Sequence, residues 1–293
     1  MPEPILDRWA AWLLDRRHGG DPEALRRTLD RLAIVRDRVL DNAGIGPGET
    51  LLDVGTGDGL IAFGALGRVS EHGSVVFSDV SEDLLAEARV LAAAAGVLDR
   101  CRFVPAAAEH LAPIANASID AVTTRSVLAY VAAKRDAFAE FARVLRPGGR
   151  VSLYEPVNRH LHPGPPDAFD GYDVSPVQDV ADKLRVYFDE RQPPDTDPML
   201  DFDERDLLAF AARAGFGERH LELRIDVRPQ APRPWETYAR SAPNPLAPTL
   251  HEAIADALTP AEANRFVAHL RPLVERGEGT FTVAVAYLWG VKG

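Results

Sequence analysis

Short apolar runs alternate with longer amphipathic segments through the middle of the chain. Runs at Thr50–Val54, Ser74–Asp79, Arg102–Pro105, Ile119–Thr124 and Arg150–Glu155 predict five buried strands. Between the first three, Leu60 to Val69 (LIAFGALGRV) and the stretch SEDLLAEARVLAAAAG from Ser81 read as helices, the second N-capped by Ser81 with Glu82 and Asp83 in its first turn. Strand and helix in alternation imply a parallel sheet covered on both faces. Arg146-Pro147-Gly148-Gly149 is expected to be a turn that leads into the fifth strand.

The flanks have a different texture. From Ile5 to Arg17 the apolar residues, Trp9 and Trp12 among them, share one broad helical face, which either anchors a helix to the body or lids an apolar substrate. Asp21-Pro22 opens a second helix with Leu25, Leu29, Leu32, Val35, Val39 and Leu40 at helical spacing. Near its end, Arg36 and Arg38 either reach a ligand carboxylate or face solvent. Residues 161–200 shift to proline, aspartate and aromatics, with a helical piece from Val177 to Glu190; this is a candidate lid or a plain surface loop. Asp203 caps a helix through Ala214, and His220–Val227 and Thr280–Trp289 predict strands. Between those strands lie a proline-rich linker with Trp235 and Tyr238, a short helix after Pro248 and a helix opened by the capping box Thr259-Pro260-Ala261-Glu262. The expected division is a helical cap over 1–48, a core over 49–157, an inserted lid over 158–202 and the rest of the core over 203–293, interrupted by a helical insertion at about 228–279.

Chemistry concentrates where the first strand meets its helix, in Asp53-Val54-Gly55-Thr56-Gly57-Asp58-Gly59. Glycines at every second position permit positive φ and leave bare amides beside a helix N-terminus, a surface suited to a carboxylate or phosphate. Asp79 ends the second strand at the distance where ribose hydroxyls need an acceptor. A nicotinamide-binding fingerprint wants its third glycine where Leu60 stands, and Asp58 would oppose a diphosphate. Acidic residues there suit a ligand whose head carries a cation beside its carboxylate.

These residues resemble the class I S-adenosylmethionine-dependent methyltransferases. LLDVGTGDG is similar to their first motif and VVFSDVSEDLL to their second, and FVPAAAEHL, SIDAVTTRSVLAYV and FARVLRPGGRVSLYEP follow in the usual order. The resemblance implies a Rossmann-like α/β fold: a seven-stranded, mostly parallel sheet with an antiparallel last strand, helices on both faces and a helical cap. It implies S-adenosyl-L-methionine as cofactor and S-adenosyl-L-homocysteine as product, with Asp53, Gly55, Thr56, Gly57, Asp79, Val80, Ala107, Ala108, Glu109, Thr124 and Arg125 around the cofactor. Ala107 stands where the family often has an acidic residue for the adenine amine, which leaves adenine to backbone groups or Glu109.

For the acceptor side the candidates are Arg125, as a bidentate grip on a carboxylate or phosphate or as an ion-pair partner of Glu155, and Glu155, His160 or His162 as proton acceptors. The expected reaction is methyl transfer to an oxygen or nitrogen of a small molecule or natural product. A narrower alternative is a carboxylate O-methyltransferase of a peptide-derived natural product. An NAD-dependent oxidoreductase and a non-catalytic cofactor-binding or assembly protein are the rivals from other classes.

The formal charge of −11 argues against nucleic acid as a partner and, more weakly, against an anionic substrate. Thr123-Thr124-Arg125 offers no carboxylate for a metal, and His160 and His162 stand one residue apart without a cysteine, so no metal is expected. One cysteine, Cys101, excludes an internal disulfide. Pro4, Asp7 and Arg8 break the residues from Met1 to Leu14, which match neither a signal peptide nor a membrane span. The expectation is a cytoplasmic protein with no membrane partner, a monomer or a homodimer.

Overall fold

The computed structural model describes residues 6–293, so the predicted helix start at Ile5 lies outside the described residues. The chain opens with α1 (Arg8–Ala11), which runs into a π-helical stretch over Trp12–Arg16, and then α2 (Pro22–Ala43). The core follows as β1 (Thr50–Val54), α3 (Leu60–Val69), β2 (Ser74–Asp79), α4 (Glu82–Ala94), β3 (Cys101–Pro105), β4 (Ile119–Arg125), α5 (Lys134–Val144) and β5 (Leu145–Pro156). A two-strand hairpin, β6 (Ala168–Phe169) and β7 (Tyr172–Asp173), precedes α6 (Gln178–Arg191), α7 (Glu204–Arg213) and β8 (Phe216–Pro229). Three helices, α8 (Trp235–Arg240), α9 (Leu250–Ala257) and α10 (Pro260–Arg276), lead to β9 (Thr280–Lys292).

Seven strands form one sheet in the order β3-β2-β1-β4-β5-β9-β8. The pairs from β3 to β5 are parallel, and β9 runs antiparallel to both of its neighbours. Only β9 therefore opposes the rest, as the family resemblance implies. The order reverses between β1 and β4, the switch point at which open α/β sheets bind ligands.

Both sheet faces are covered. Val35, Val39 and Leu40 of α2 pack with Ile61, Ala65 and Val69 of α3 on one face, and Phe138 and Phe141 of α5 with Leu207 and Ala211 of α7 on the other. Each such large buried side chain contributes about 1.5–3 kcal/mol. A third cluster lies apart from the sheet: Val180 and Leu184 of α6 pack against Tyr238 of α8, Leu250 of α9 and Phe266 and Leu270 of α10. The two long excursions thus share one core and form one helical cap.

The expected turn at Arg146–Gly149 is drawn into β5. Leu145 pairs with Ile119 before it and Arg150 with Ala121 after it, so the four residues bulge between two paired positions, with Gly148 at φ +75°. Buried Lys134, at the start of α5, ties core to cap. Its Nζ donates to the carbonyls of Val131 (2.9 Å) and Pro198 (2.8 Å) and pairs with Asp201 at 2.5 Å. Among the described residues no helix is long and apolar enough to cross a membrane.

Candidate functional site

A cleft of about 1440 Å3 opens between the carboxyl ends of the strands, the N-terminal helices and the cap. Its floor is the glycine loop after β1. Gly55 and Gly57 sit at φ +63° and +54°, where a side chain is strained. Space restricts them as well: a Cβ at Gly55 would run into Val127, and one at Gly57 would lie 3.3 Å from Leu13. The loop is therefore packed between the end of β4 and the π-helical stretch.

Asp79 latches this loop. Its carboxylate accepts from the amide of Gly57 at 2.8 Å and from that of Ser81 at 3.0 Å. Burial raises its pKa, against the pull of those amides. Ser81 caps α4 through Leu84 and donates to Asp7 at 2.6 Å, while the Asp7 amide donates to Asp83, so α1 is clipped over the same corner. Exposed Val80, with Ala107, Ala108 and Glu109 after β3, lines the cleft next to Asp79.

Asp53 lies beneath the loop rather than on the cleft wall. It is 2% exposed and accepts from the hydroxyls of Thr56 and Thr123, both at 2.8 Å. Burial pushes its pKa up to about 6 despite those bonds. Thr124 is wholly buried, and its hydroxyl has no partner among the described residues. Asp53, Thr56 and Thr124 therefore shape the floor, while Gly55, Gly57, Asp79, Val80, Ala107, Ala108, Glu109 and Arg125 line the cleft itself.

On the acceptor side the structure separates the candidates. Arg125 lines the cleft, but Glu155 does not pair with it. The Glu155 carboxylate is fully buried and accepts from the amides of Val127 (3.0 Å) and Ala129 (3.3 Å). Burial pushes it up to about 7. It thereby holds the loop after β4, in which Ser126 takes a left-handed φ of +56°. His160 sits outside the cleft with its ring nitrogen 2.7 Å from Glu204. None of Glu155, His160 and His162 lines the cleft, which corrects their reading as proton acceptors there; the first two are taken up by structural contacts.

Four other residues that line the cleft, Arg17, His18, Arg27 and Arg31, carried no functional reading in the sequence. Arg17 and His18 follow the π-helical stretch, and Arg27 and Arg31 lie at i, i+4 on one face of α2. Burial, then Arg125, push the Arg17 guanidinium down to about 10. Burial, then Arg17, push His18 below its ordinary value, which favours the neutral imidazole. Tyr130 is pushed up to about 12, chiefly by burial, and stays protonated. A signal was present: residues 16–38 hold seven arginines against four acidic residues in a chain that is acidic as a whole. Among the described residues six arginines against three acidic residues line the cleft, so the net charge of the whole chain does not describe the charge of the site. Arg36 and Arg38 stay out of it, paired with Asp37 and Glu222. Among the described residues no group of three or more His, Cys, Asp or Glu side chains stands close enough to hold a metal ion.

A family model described as a methyltransferase domain matches residues 52–153. Over 118 residues, 40% of this chain, the sequence is 34% identical to the ubiquinone/menaquinone biosynthesis C-methyltransferase UbiE of Marinomonas sp. strain MWYL1. Arsenite methyltransferase of Halobacterium salinarum is 32% identical over 152 residues, 50% of this chain. The matches span less than half of these curated relatives, 46% and 38% of their lengths. Among solved structures, the geranyl diphosphate C-methyltransferase of Streptomyces coelicolor A3(2) superposes with a TM-score of 0.54 at 18% identity, covering 96% of this chain and 85% of that one. Residues 52–153 are thus a methyltransferase domain, and the chain has the Rossmann-like fold of the class I S-adenosylmethionine-dependent methyltransferases.

Proposed function

We propose that the chain binds S-adenosyl-L-methionine in this cleft and transfers its methyl group to an oxygen or nitrogen of a small molecule, releasing S-adenosyl-L-homocysteine. The observation that carries the reading is the bare glycine loop latched by Asp79 at the switch point of the sheet. Asp79 would accept from the ribose hydroxyls, and Gly55 and Gly57 would accommodate the methionine end; all three line the cleft. Asp53 supports that end from below, through the loop it holds by Thr56 and Thr123. Val80, Ala107, Ala108 and Glu109, which line the cleft, would hold the adenine, with Glu109 as the polar side chain among them. The cofactor supplies an electrophilic methyl on a sulfonium.

The chain's main task is then to hold donor and acceptor in line and keep water out. The cap and α1 serve that exclusion, since residues from both line the cleft. A phenol or amine acceptor must lose a proton, and His18, held toward its neutral form, lines the cleft where Glu155 and His160 do not. A carboxylate acceptor loses none. Arg125, facing the cleft without an ion-pair partner among the described residues, favours that second reading, carboxylate O-methylation.

The test is incubation with methyl-labelled S-adenosyl-L-methionine and a panel of carboxylates, phenols and amines, following label in the product and release of S-adenosyl-L-homocysteine. Label on a carboxylate, with little on phenols, is the expected result. Absence of cofactor binding would overturn the reading, and label confined to amines or phenols would overturn its carboxylate form.

A further inference from the structure

The cleft wall beyond the glycine loop is cationic in a chain whose formal charge is −11. Arg17 after α1, Arg31 on α2, Arg125 at the end of β4 and Arg228 on β8 all line it. Among the described residues none of these four has a carboxylate within ion-pair distance. Two further arginines of the lining are paired, Arg27 with Glu23 and Arg233 with Asp170, and among the described residues arginines without a carboxylate partner occur outside the cleft too, Arg89 and Arg102 among them; what sets these four apart is that they line one cleft. Two of the four rest on aromatic faces instead, Arg17 at 5.2 Å from the Trp12 ring centroid and Arg228 at 4.6 Å from that of Phe281.

Bringing like charges together in a concave, partly desolvated site is unfavourable. Arg125 and Arg31 both act on Arg17 in that sense, and Arg17 and Arg31 both act on His18, with Asp58 opposing them at each. With 44 acidic residues in the chain, the arginines are not unpaired for want of carboxylates. Such a cluster is relieved by an anion, and guanidinium forks match carboxylate and phosphate oxygens.

The cofactor's own carboxylate accounts for one cation, not for four. The cleft, at about 1440 Å3, also exceeds the roughly 300–1,000 Å3 of ordinary ligand sites, which leaves room beside a nucleoside. Trp9, Trp12, Phe169, Phe188 and Met199 give that cleft a large aromatic and apolar lining, interspersed with polar groups such as Asn158 and Gln230.

We propose that Arg17, Arg31 and Arg125 form a receptor for the acidic group of an amphiphilic acceptor, a carboxylate or phosphate carried on an apolar body that lies along the aromatic wall. This deepens the methyltransferase reading and rests on it.

The test uses the full chain and calorimetric titration. S-adenosyl-L-homocysteine is titrated first, alone; with it saturating, decanoate, decyl phosphate and decan-1-ol are titrated separately. At least one of the two anions binds about tenfold or more tighter than the alcohol, and which one identifies the acidic group. In Arg31→Gln, on an exposed helix face, and in Arg17→Gln, that preference falls by a similar factor while the alcohol is unaffected. Equal binding of anions and alcohol by the unsubstituted protein overturns the receptor without recourse to any variant. A preference unchanged in both variants overturns it too. Should S-adenosyl-L-homocysteine itself not bind, the cofactor reading fails, whatever the anions do; should it bind with no anion preference, only the receptor fails.

Discussion

The two sides of the cleft are built on opposite principles. On the cofactor side the chemistry is acidic and already satisfied: Asp79 holds two amides, Asp53 two hydroxyls, and Glu155, behind the β4 loop, two more amides. On the acceptor side Arg17, Arg31 and Arg125 have no ion-pair partner among the described residues, and Arg17 rests on the Trp12 ring instead. The first side is preorganised by the sheet, so it presents one geometry before a ligand arrives. The second is completed by its ligand. A core can be stable around one and selective through the other.

The comparison breaks most severely at the glycine loop. Gly57→Val puts a β-branched side chain at φ +54°, at about 1–3 kcal/mol of strain, and beside Leu13. S-adenosyl-L-methionine binding, read by calorimetry, is expected to vanish while the far-ultraviolet dichroism of the fold persists.

The buried acids give the next largest effect, in stability against pH. Glu155 goes from 4.5 unfolded to about 7 folded, and Asp53 from 3.8 to about 6. Raised carboxyls bind more protons in the native state, so their contribution is fully present below the unfolded values and is lost as pH rises through the folded ones. Each is of the order of 3 kcal/mol. Unfolding free energy is expected to fall as pH climbs from about 5 to about 7, and Glu155→Gln, which keeps one acceptor oxygen, flattens that slope in denaturant titrations at each pH. An unchanged slope would remove Glu155 from the account.

Lys134→Met probes the tie between core and cap. It deprives the Val131 and Pro198 carbonyls of their donor and is expected to cost about 1–3 kcal/mol in urea unfolding. Smallest of all is Arg38→Gln. Arg38 is paired with Glu222 and lies over the Tyr287 ring, outside the cleft. A change within about 1 kcal/mol in stability is expected, with no change in anion binding. An effect of Arg38→Gln as large as that of Arg31→Gln would show that paired and unpaired arginines do not differ, which would dissolve the contrast.

How legible the molecule was in its sequence depends on the range of the interactions involved. β1 and β2 fall where the short apolar runs put them, because each strand is buried on both faces and ends at a polar residue or a glycine. The Leu60–Val69 helix and the caps at Ser81, Asp203 and Thr259 are equally local and were read from adjacent residues. The bulge at Arg146–Gly149 was not, since its proline and glycines spell a turn and only pairing to Ile119 and Ala121 makes it part of a strand. Nor was the shared core of the cap, whose helices α6 and α10 are separated in sequence by α7 and β8.

The site divides in the same way. The glycine loop and Asp79 belong to neighbouring βα units, and their spacing carried the cofactor reading. Glu155 and His160 were chosen for residue type and position along the chain, but burial and a single neighbour, Glu204, remove them from the cleft. Arg17, Arg31 and Arg125 come from three elements distant in sequence, and on a predicted amphipathic helix Arg31 reads as a solvated polar face.

The central claim is that the latched glycine loop is a site for S-adenosyl-L-methionine. Calorimetric titration of the protein and of Asp79→Ala with this molecule tests it most directly, with NAD as the comparison ligand. The account predicts micromolar binding that Asp79→Ala weakens about tenfold or more, as expected for lost charge-assisted hydrogen bonds, and little affinity for NAD. Tight binding of NAD, or binding of S-adenosyl-L-methionine indifferent to Asp79, would contradict it.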